Sequence, residues 1–397
     1  MTPFESLKNL VEKPISGEWG DGEGKINVIR TANFRNDGRI DFSNIVKRDI
    51  NVKKVEDKKL FSGDIIIEKS GGSPSQPVGR VVFFEAEDLY LCNNFTSILR
   101  PLSDNVFPKY LHYILFCNHK FGVVTKFQNK TTGIINLKLA NYLEKTKVPL
   151  PSLAEQKKIA AILDAADSLR QKDQQLVEHY TALSQSLFLE MFGDLNGAKV
   201  PLSSLCKLNP PKSEITKTDK STYVSFVPMT NVSEVGKVNL SDKRSLNEVW
   251  SGFTYFAEND VVFAKITPCM ENGKGAIMRG LLNGVGFGTT EFHVLRPIQN
   301  ISTPEWLYSL TTQKFFRQYA ELNMTGSAGQ KRVPKQFFDN YMVVQPTIEK
   351  QNQFAERVAI IEQQKQQAQI NLQNSEALFN SLLQRAFTGE LTADKAA

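Results

Sequence analysis

Four short phrases in this 397-residue chain combine residue types that could do chemistry. Asn209-Pro210-Pro211-Lys212 imitates the N-P-P-aromatic phrase with which adenine methyltransferases hold an extruded base, but Lys212 stands where an aromatic face is needed. Gly284, Gly286 and Gly288 form G-x-G-x-G. A phosphate cradle needs such a run to open a helix, whereas Thr289-Thr290-Glu291-Phe292 continues as a strand. Glu56 and Lys58 form E-x-K, one part of a nuclease signature, inside a lysine-rich stretch. Cys117 and His119 lie close together, yet the four cysteines (Cys92, Cys117, Cys206, Cys269) and four histidines lack zinc-site spacing. No G-x-x-x-x-G-K-[ST] occurs, so nucleotide hydrolysis is not expected in this chain. Neither a catalytic site nor a bound metal or cofactor is expected.

Binding chemistry is better represented. Phosphates need a cation or a backbone N–H, and base edges need the forked groups of Arg, Asn or Gln or the ammonium of Lys. In the first half, Arg30, Thr31, Asn33 and Arg35 follow a strand end. Lys69-Ser70-Gly71-Gly72-Ser73 reads as a flexible polar loop able to approach a backbone, with Arg80 just beyond. In the second half, Lys265 with Thr267, and Asn272 with Lys274, occupy the equivalent region. Ser327, Gln330, Lys331 and Arg332 form a further cluster. Aromatics are abundant (26 Phe), but strand spacing makes them core residues before base-stacking platforms.

These loops have to be positioned by something, and the chain says by what. Leu150 to Asp194 and Gln345 to Leu391 are one phrase written twice, offset by 195. Pro151 pairs with Pro346, Gln156 with Gln351, Ile159 with Phe354 and Leu187 with Leu382. Each copy opens on Pro and a capping residue (Ser152 or Thr347), has no internal Pro or Gly, and closes near Gly193 or Gly389. Glu155 completes a capping box with Ser152. Ile159, Ile162, Ala166, Leu169, Leu176, Leu183 and Leu187 make an apolar seam in the first copy, interrupted by Asp173 and Tyr180. Phe354, Val358, Ile361, Ala368, Leu372, Phe379, Leu382 and Ala386 do so in the second, interrupted by Lys365 and Ser375. Two long helices of about 60 Å are predicted, paired antiparallel, with Asp173 and Lys365 as a register-setting pair.

The intervening segments repeat too. LFSGDIIIEKS (Leu60 to Ser70) resembles FAENDVVFAKI (Phe256 to Ile266), and NNFTSILRP (Asn93 to Pro101) resembles TTEFHVLRP (Thr289 to Pro297). The expected architecture is α+β, with two similar β-rich modules joined by the two helices and related by an internal pseudo-twofold repeat. Expected boundaries are 1–150 and 195–345 for the modules, 151–194 and 346–391 for the helices, and 392–397 for a tail. Pro151 to Phe192 holds four basic against six acidic residues and Thr347 to Thr388 four against four, so the excess behind the net charge of +6 sits in the modules. Such modules suit a polyanion. No apolar run is long enough to span a membrane, and MTPFESLKNLVEK lacks signal-peptide order; a cytoplasmic chain with reduced cysteines is expected.

The module–helix–module–helix order resembles the specificity subunit of a type I restriction-modification system. L-x-x-Q-K-x-I-A (Leu153, Gln156, Lys157, Ile159, Ala160) and R-x-F-x-G-x-L (Arg385, Phe387, Gly389, Leu391) carry the likeness. L-x-x-G-D-I-I-I (Leu60 to Ile67) and G-x-x-G-Q-K-x-V-P (Gly326 to Pro334) are similar to that family's target-recognition domains. Where the second module has Gly329-Gln330-Lys331, the first has Ile134-Ile135-Asn136. The resemblance implies a non-catalytic subunit. Each module would read one half of a split site in double-stranded DNA, and the helices would space the modules and dock two methyltransferase subunits. S-adenosylmethionine, ATP and Mg would then belong to partners, with restriction subunits as further partners. Two alternatives are a self-contained adenine methyltransferase or nuclease fusion, and a coiled-coil scaffold with no DNA role.

Overall fold

The computed structural model describes residues 3–73, 76–131, 134–327 and 329–391; the expected tail, 392–397, lies outside the described residues. The chain forms two compact units: residues 1–174 with 370–397, and residues 175–369.

Each unit contains the same pair of sheets. In the first, Ile15–Ser16, Thr96–Leu99, Ile65–Glu68 and Val81–Phe83 lie in that order as an antiparallel sheet. The all-buried run Ile65-Ile66-Ile67 is its centre. A second sheet orders Val46–Arg48, Glu23–Ile29 and Tyr90–Cys92, the last two parallel. In the second unit the corresponding sheets are Cys206–Leu208, Phe292–Pro297, Val261–Ala264, Gly275–Ile277, and Lys243–Ser245, Tyr223–Val227, Val285–Gly288, Thr254–Ala257. Among the described residues the strand Thr254–Ala257 has no full counterpart in the first unit, where a bond from Leu60 N to Tyr90 O (2.9 Å) marks its place. Its presence explains the glycine run: a Cβ at Gly286 would meet the Phe256 ring at 2.1 Å. Gly286 and Gly288 let the strands approach, whereas Gly284 takes a positive φ of +68° in the turn before them.

Helices Pro108–Lys120 and Pro304–Thr312 cover the sheets, each with proline in its first turn. In the second unit the chain turns extended at Gln313 and starts a separate helix, Lys314–Leu322.

The long helices are Leu153–Phe192 and Ile348–Thr388. They pack antiparallel within each unit. In the first unit Ile159, Leu163 and Ala166, near the start of one helix, share a core with Phe379, Leu383 and Ala386, near the end of the other. In the second, Phe354 packs edge-on against Phe188 and Phe192, with ring centroids 5.8 and 5.1 Å away.

The expected seam holds for the second helix, where Phe354, Ala368, Phe379 and Ala386 are buried. It needs correction for the first. Ile162, Leu169, Leu176 and Leu183 are 39–48% exposed. Ile159 and Ala166 of the expected seam are buried, and the rest of the inward face runs through Gln156, Leu163, Asp167, Phe188 and Met191. Apolarity misidentified the face because the inward stripe includes polar groups: Gln156 and Asp167 are buried and Arg170 is half-buried, with Asp167 accepting from Arg170 and Gln171.

The repeated glutamine explains the shared helix start. In the first unit Gln156 accepts from Phe107 N (2.8 Å) and donates to Pro151 O (2.9 Å). In the second, Gln351 accepts from Thr303 N (2.9 Å) and donates to Ile301 O (2.9 Å) and Pro346 O (3.1 Å). Each glutamine pins its long helix to the start of the covering helix, and both are at most 1% exposed. Ser152 and Glu155 form the expected capping box.

Candidate nucleic-acid interface

Two copies of one scaffold in one chain separate what the fold requires from what each copy adds. Asp64 and Arg100 form a two-bonded ion pair (2.9 and 2.8 Å) in the first unit, and Asp260 and Arg296 do the same (both 2.7 Å) in the second. Asp64 also accepts from Phe61 N, and Asp260 from Ala257 N, so both carboxylates tie the turn before a central strand. These pairs are scaffold.

The loop holding Arg30, Thr31, Asn33 and Arg35 follows the same logic. Asn33 is 2% exposed; it accepts from Arg30 N (2.9 Å) and donates to Asp41 O (3.1 Å) and Asn44 O (3.0 Å). Its counterpart Asn231 donates to Asn239 O (3.2 Å). Arg80 is held by Glu68 (2.9 and 3.0 Å) and donates to Thr31 O and Phe34 O; Lys274, its counterpart, donates to Met229 O (3.2 Å). Asn33, Arg80 and Lys274 therefore shape this rim. Arg30 donates to Asn44 O, and the Arg35 side chain stands 60% exposed beside Asp37.

The segment 69–73 is not the flexible loop its composition suggests. Ser70–Gly72 is a strand, third in a sheet with Gln128–Thr131 and Ile134–Leu137. The hairpin edge supplies pairing that a glycine-rich stretch does not advertise. Ser70 donates to Asn136, and a Cβ at Gly72 would meet Val78 at 2.7 Å. Gly71, at φ +96°, is exposed, and Ser73 pairs with Gln76. Lys69 donates to Ser16, and burial lowers its pKa below the ordinary lysine value.

In the second unit Thr267 binds Lys331 O through both N (3.1 Å) and hydroxyl (3.2 Å), joining two sequence-predicted clusters. Lys265 is half-buried, whereas Asn272, Ser327, Gln330 and Lys331 are exposed. Arg332 meets Glu291 through Nε (3.0 Å) and Nη2 (2.8 Å). Beside that carboxylate the guanidinium pKa rises, and the carboxyl pKa falls. Arg317, 7% exposed and reached by no sequence motif, donates to Thr311 O, Met270 O and Gly273 O, fixing the turn that carries Asn272 and Lys274.

Of the expected register pair, Asp173 is half-buried in the first unit. Lys365 is 6% exposed in the second and pairs with Glu362 on its own helix (3.3 Å).

Backbone bonding corrects the alignment of the two rims. Lys69 N donates to Phe95 O (2.9 Å) and Lys69 O accepts from Leu137 N (2.8 Å). Lys265 N donates to Glu291 O (2.9 Å) and Lys265 O accepts from Val333 N (2.8 Å). Phe95 thus matches Glu291, and Asn136 matches Arg332 rather than Lys331. Sequence reading aligned Phe95 with Glu291 and named Asn136, but counted none of the three among the site residues. The polar stretch Lys126-Phe127-Gln128-Asn129, leading into the first unit's hairpin, was the available signal.

The phrases that could carry catalysis are engaged otherwise. Asn209, at φ +50°, donates to His293 (3.3 Å) and accepts from Val294 N (2.9 Å), while Lys212 donates to Trp250 O (2.6 Å). Lys58 pairs with Glu18, and Glu56 with Lys59. Burial pushes the Cys117 thiol up to about 12. Among the described residues no group of three or more His, Cys, Asp or Glu is placed to hold a metal ion, and no helix is long and apolar enough to cross a membrane.

The fold and its rims define a two-module scaffold protein, one α+β unit written twice on paired helices. A family model for the type I restriction modification DNA specificity domain matches residues 20–179 and again 197–373, and the chain belongs to that family. It is 37% identical over 189 residues to the type I restriction enzyme EcoEI specificity subunit of Escherichia coli; the match covers 46% of this chain and 31% of that relative. It is 24% identical over 390 residues to the StySPI specificity subunit of Salmonella potsdam, covering 92% and 82% of the two chains. A solved type I restriction-modification S subunit from M. genitalium superposes with a TM-score of 0.54 at 15% identity, covering 97% of this chain and 96% of that one. A structure described in terms of complex assembly and conformational transition of the type I R-M system gives the same TM-score and identity over 98% of both chains.

Proposed function

We propose that this chain is the DNA-recognition subunit of a type I restriction-modification complex. Each module reads one half of a bipartite site in double-stranded DNA, and the paired helices set the distance between half-sites. The observation that carries this is one shared scaffold with different rims: the Asp64–Arg100 pair of the first unit recurs as Asp260–Arg296 in the second, while Phe95 and Asn136 stand in the first unit at the backbone positions that Glu291 and Arg332 hold in the second. A protein that reads two different sequences with one fold needs that division.

The chain itself is non-catalytic in this reading and binds no cofactor. Two methyltransferase subunits supply S-adenosylmethionine chemistry, and restriction subunits, where present, supply ATP- and Mg-dependent cleavage. The exposed residues Ile162 and Leu169 in the first unit, and Leu176 and Leu183 in the second, recur every seven positions on one helix and are the docking groups for methyltransferase helices. The boundaries 1–150, 151–194, 195–345 and 346–391 are the functional divisions, and Asp173 with Lys365 sets helix register.

Removing one turn from the long helices, about 5.4 Å, should change the spacing between half-sites by one or two base pairs and leave both half-site sequences intact. Mapping N6-methyladenine at base resolution with the shortened chain tests this. Altered half-site bases at unchanged spacing would refute the ruler.

A further inference from the structure

The two rims differ at one pair of positions in a way the fold does not require. In the second unit the Arg332 backbone is clamped on both sides, bonding Thr325 in both directions (2.8 and 2.9 Å) and bridging Ile266. Its guanidinium lies against Glu291 along the Nε–Nη2 edge, and Nη1 donates to Gln330 O (3.0 Å). Of five N–H groups, these bonds leave one on each terminal nitrogen, both in the guanidinium plane. The side chain is 40% exposed and flanked by exposed Ser327, Gln330 and Lys331.

The first unit acts as an internal control. At the same backbone positions it has Phe95 and Asn136, and the unit folds without the ion pair. Asp64–Arg100 and Asp260–Arg296, by contrast, occur in both. Arg80 has a superficially similar carboxylate partner, Glu68. Its side chain is only 21% exposed, and its terminal nitrogens also donate to Thr31 O and Phe34 O. It braces; Arg332 is presented.

We infer that Arg332 reads a guanine in the half-site of the second module, with Glu291 as its positioning residue. The inference rests on the DNA-recognition reading above. A forked guanidinium matches the O6 and N7 acceptors of guanine in the major groove, and a carboxylate on the adjoining Nε–Nη2 edge keeps the fork from rotating.

The test uses the full chain in its assembled complex, with the half-sites first mapped by methylation. The half-site of the second module should contain a guanine whose replacement by 7-deazaguanine, which lacks N7, weakens binding about tenfold or more. Arg332→Gln should lose preference for that guanine about ten- to a hundredfold and gain adenine there, with the other half-site unchanged. Glu291→Gln should weaken the same preference, yet have no further effect in an Arg332→Gln background; a merely structural Glu291 would lower affinity in both backgrounds. A half-site of the second module without guanine would overturn the inference, as would a wild-type complex indifferent to every 7-deazaguanine. Uniform loss of affinity in Arg332→Gln, with base preferences kept and a shallower salt dependence, would make Arg332 a phosphate contact. A wild-type complex that reads no bipartite site at all would instead defeat the broader reading.

Discussion

At the scale of single residues, the two copies sort groups by whether they recur. The recurring Asp260–Arg296 pair, with Asp260 fully buried, should be expensive to break. Asp260→Asn leaves Arg296 with Glu214 as its remaining counter-charge and should destabilise the second unit by about 2 kcal/mol in urea unfolding. His293 gives a pH signature. It is 4% exposed, and burial pushes its pKa down to about 4, below the ordinary 6.5. The unfolded chain therefore takes up a proton first. The stability contributed by the neutral ring is complete above pH 6.5 and is lost as pH falls from there toward 4. At pH 5 the loss is about 2 kcal/mol, and His293→Gln should flatten the fall in Tm between pH 7.5 and 5. His112 in the first unit, pushed down to about 3 by burial, adds the same trend. Composition marked the cationic clusters but could not tell a braced group from a presented one. Asn33 and Arg332 look alike in sequence as polar loop residues; one has its amide bonded inward and the other holds a forked group at the surface. That difference lies in hydrogen-bond geometry between segments tens of residues apart.

At the scale of elements, the long helices were legible because capping residues, an unbroken interior and closing glycines are local signals. The inward face of the first was not. Its stripe includes buried Gln156 and Asp167, while its leucines at 169, 176 and 183 face outward. Hydrophobic periodicity follows leucine wherever it points, and here part of it points away from the core. Gln156→Ala and Gln351→Ala should each cost about 2 kcal/mol, because the N–H of Phe107 or Thr303 loses its acceptor. Hydrogen exchange at those amides should accelerate accordingly. Leu176→Glu with Leu183→Glu should change thermal stability by less than about 0.5 kcal/mol, since both side chains are exposed, yet abolish co-purification with the methyltransferase subunit. A large fall in Tm would place those leucines in the core after all.

At the scale of the whole molecule, the repeat assigns labour. The helices carry little net charge, and the modules carry the excess of cations. Binding of specific duplex DNA by the assembled complex should weaken linearly in log–log terms with salt, and Arg35→Ala should reduce that slope by about one without changing which bases are preferred. An unchanged slope would remove Arg35 from the phosphate contacts. The outward aliphatic row of the first helix has a consequence for supply. A chain synthesised ahead of its partner would display Ile162, Leu169, Leu176 and Leu183 bare to water. Surplus copies would then cluster with one another or fall to proteolysis, so the amount of active complex would follow the dose of the partner. The row would act as quality control on stoichiometry, retiring whatever has not been claimed.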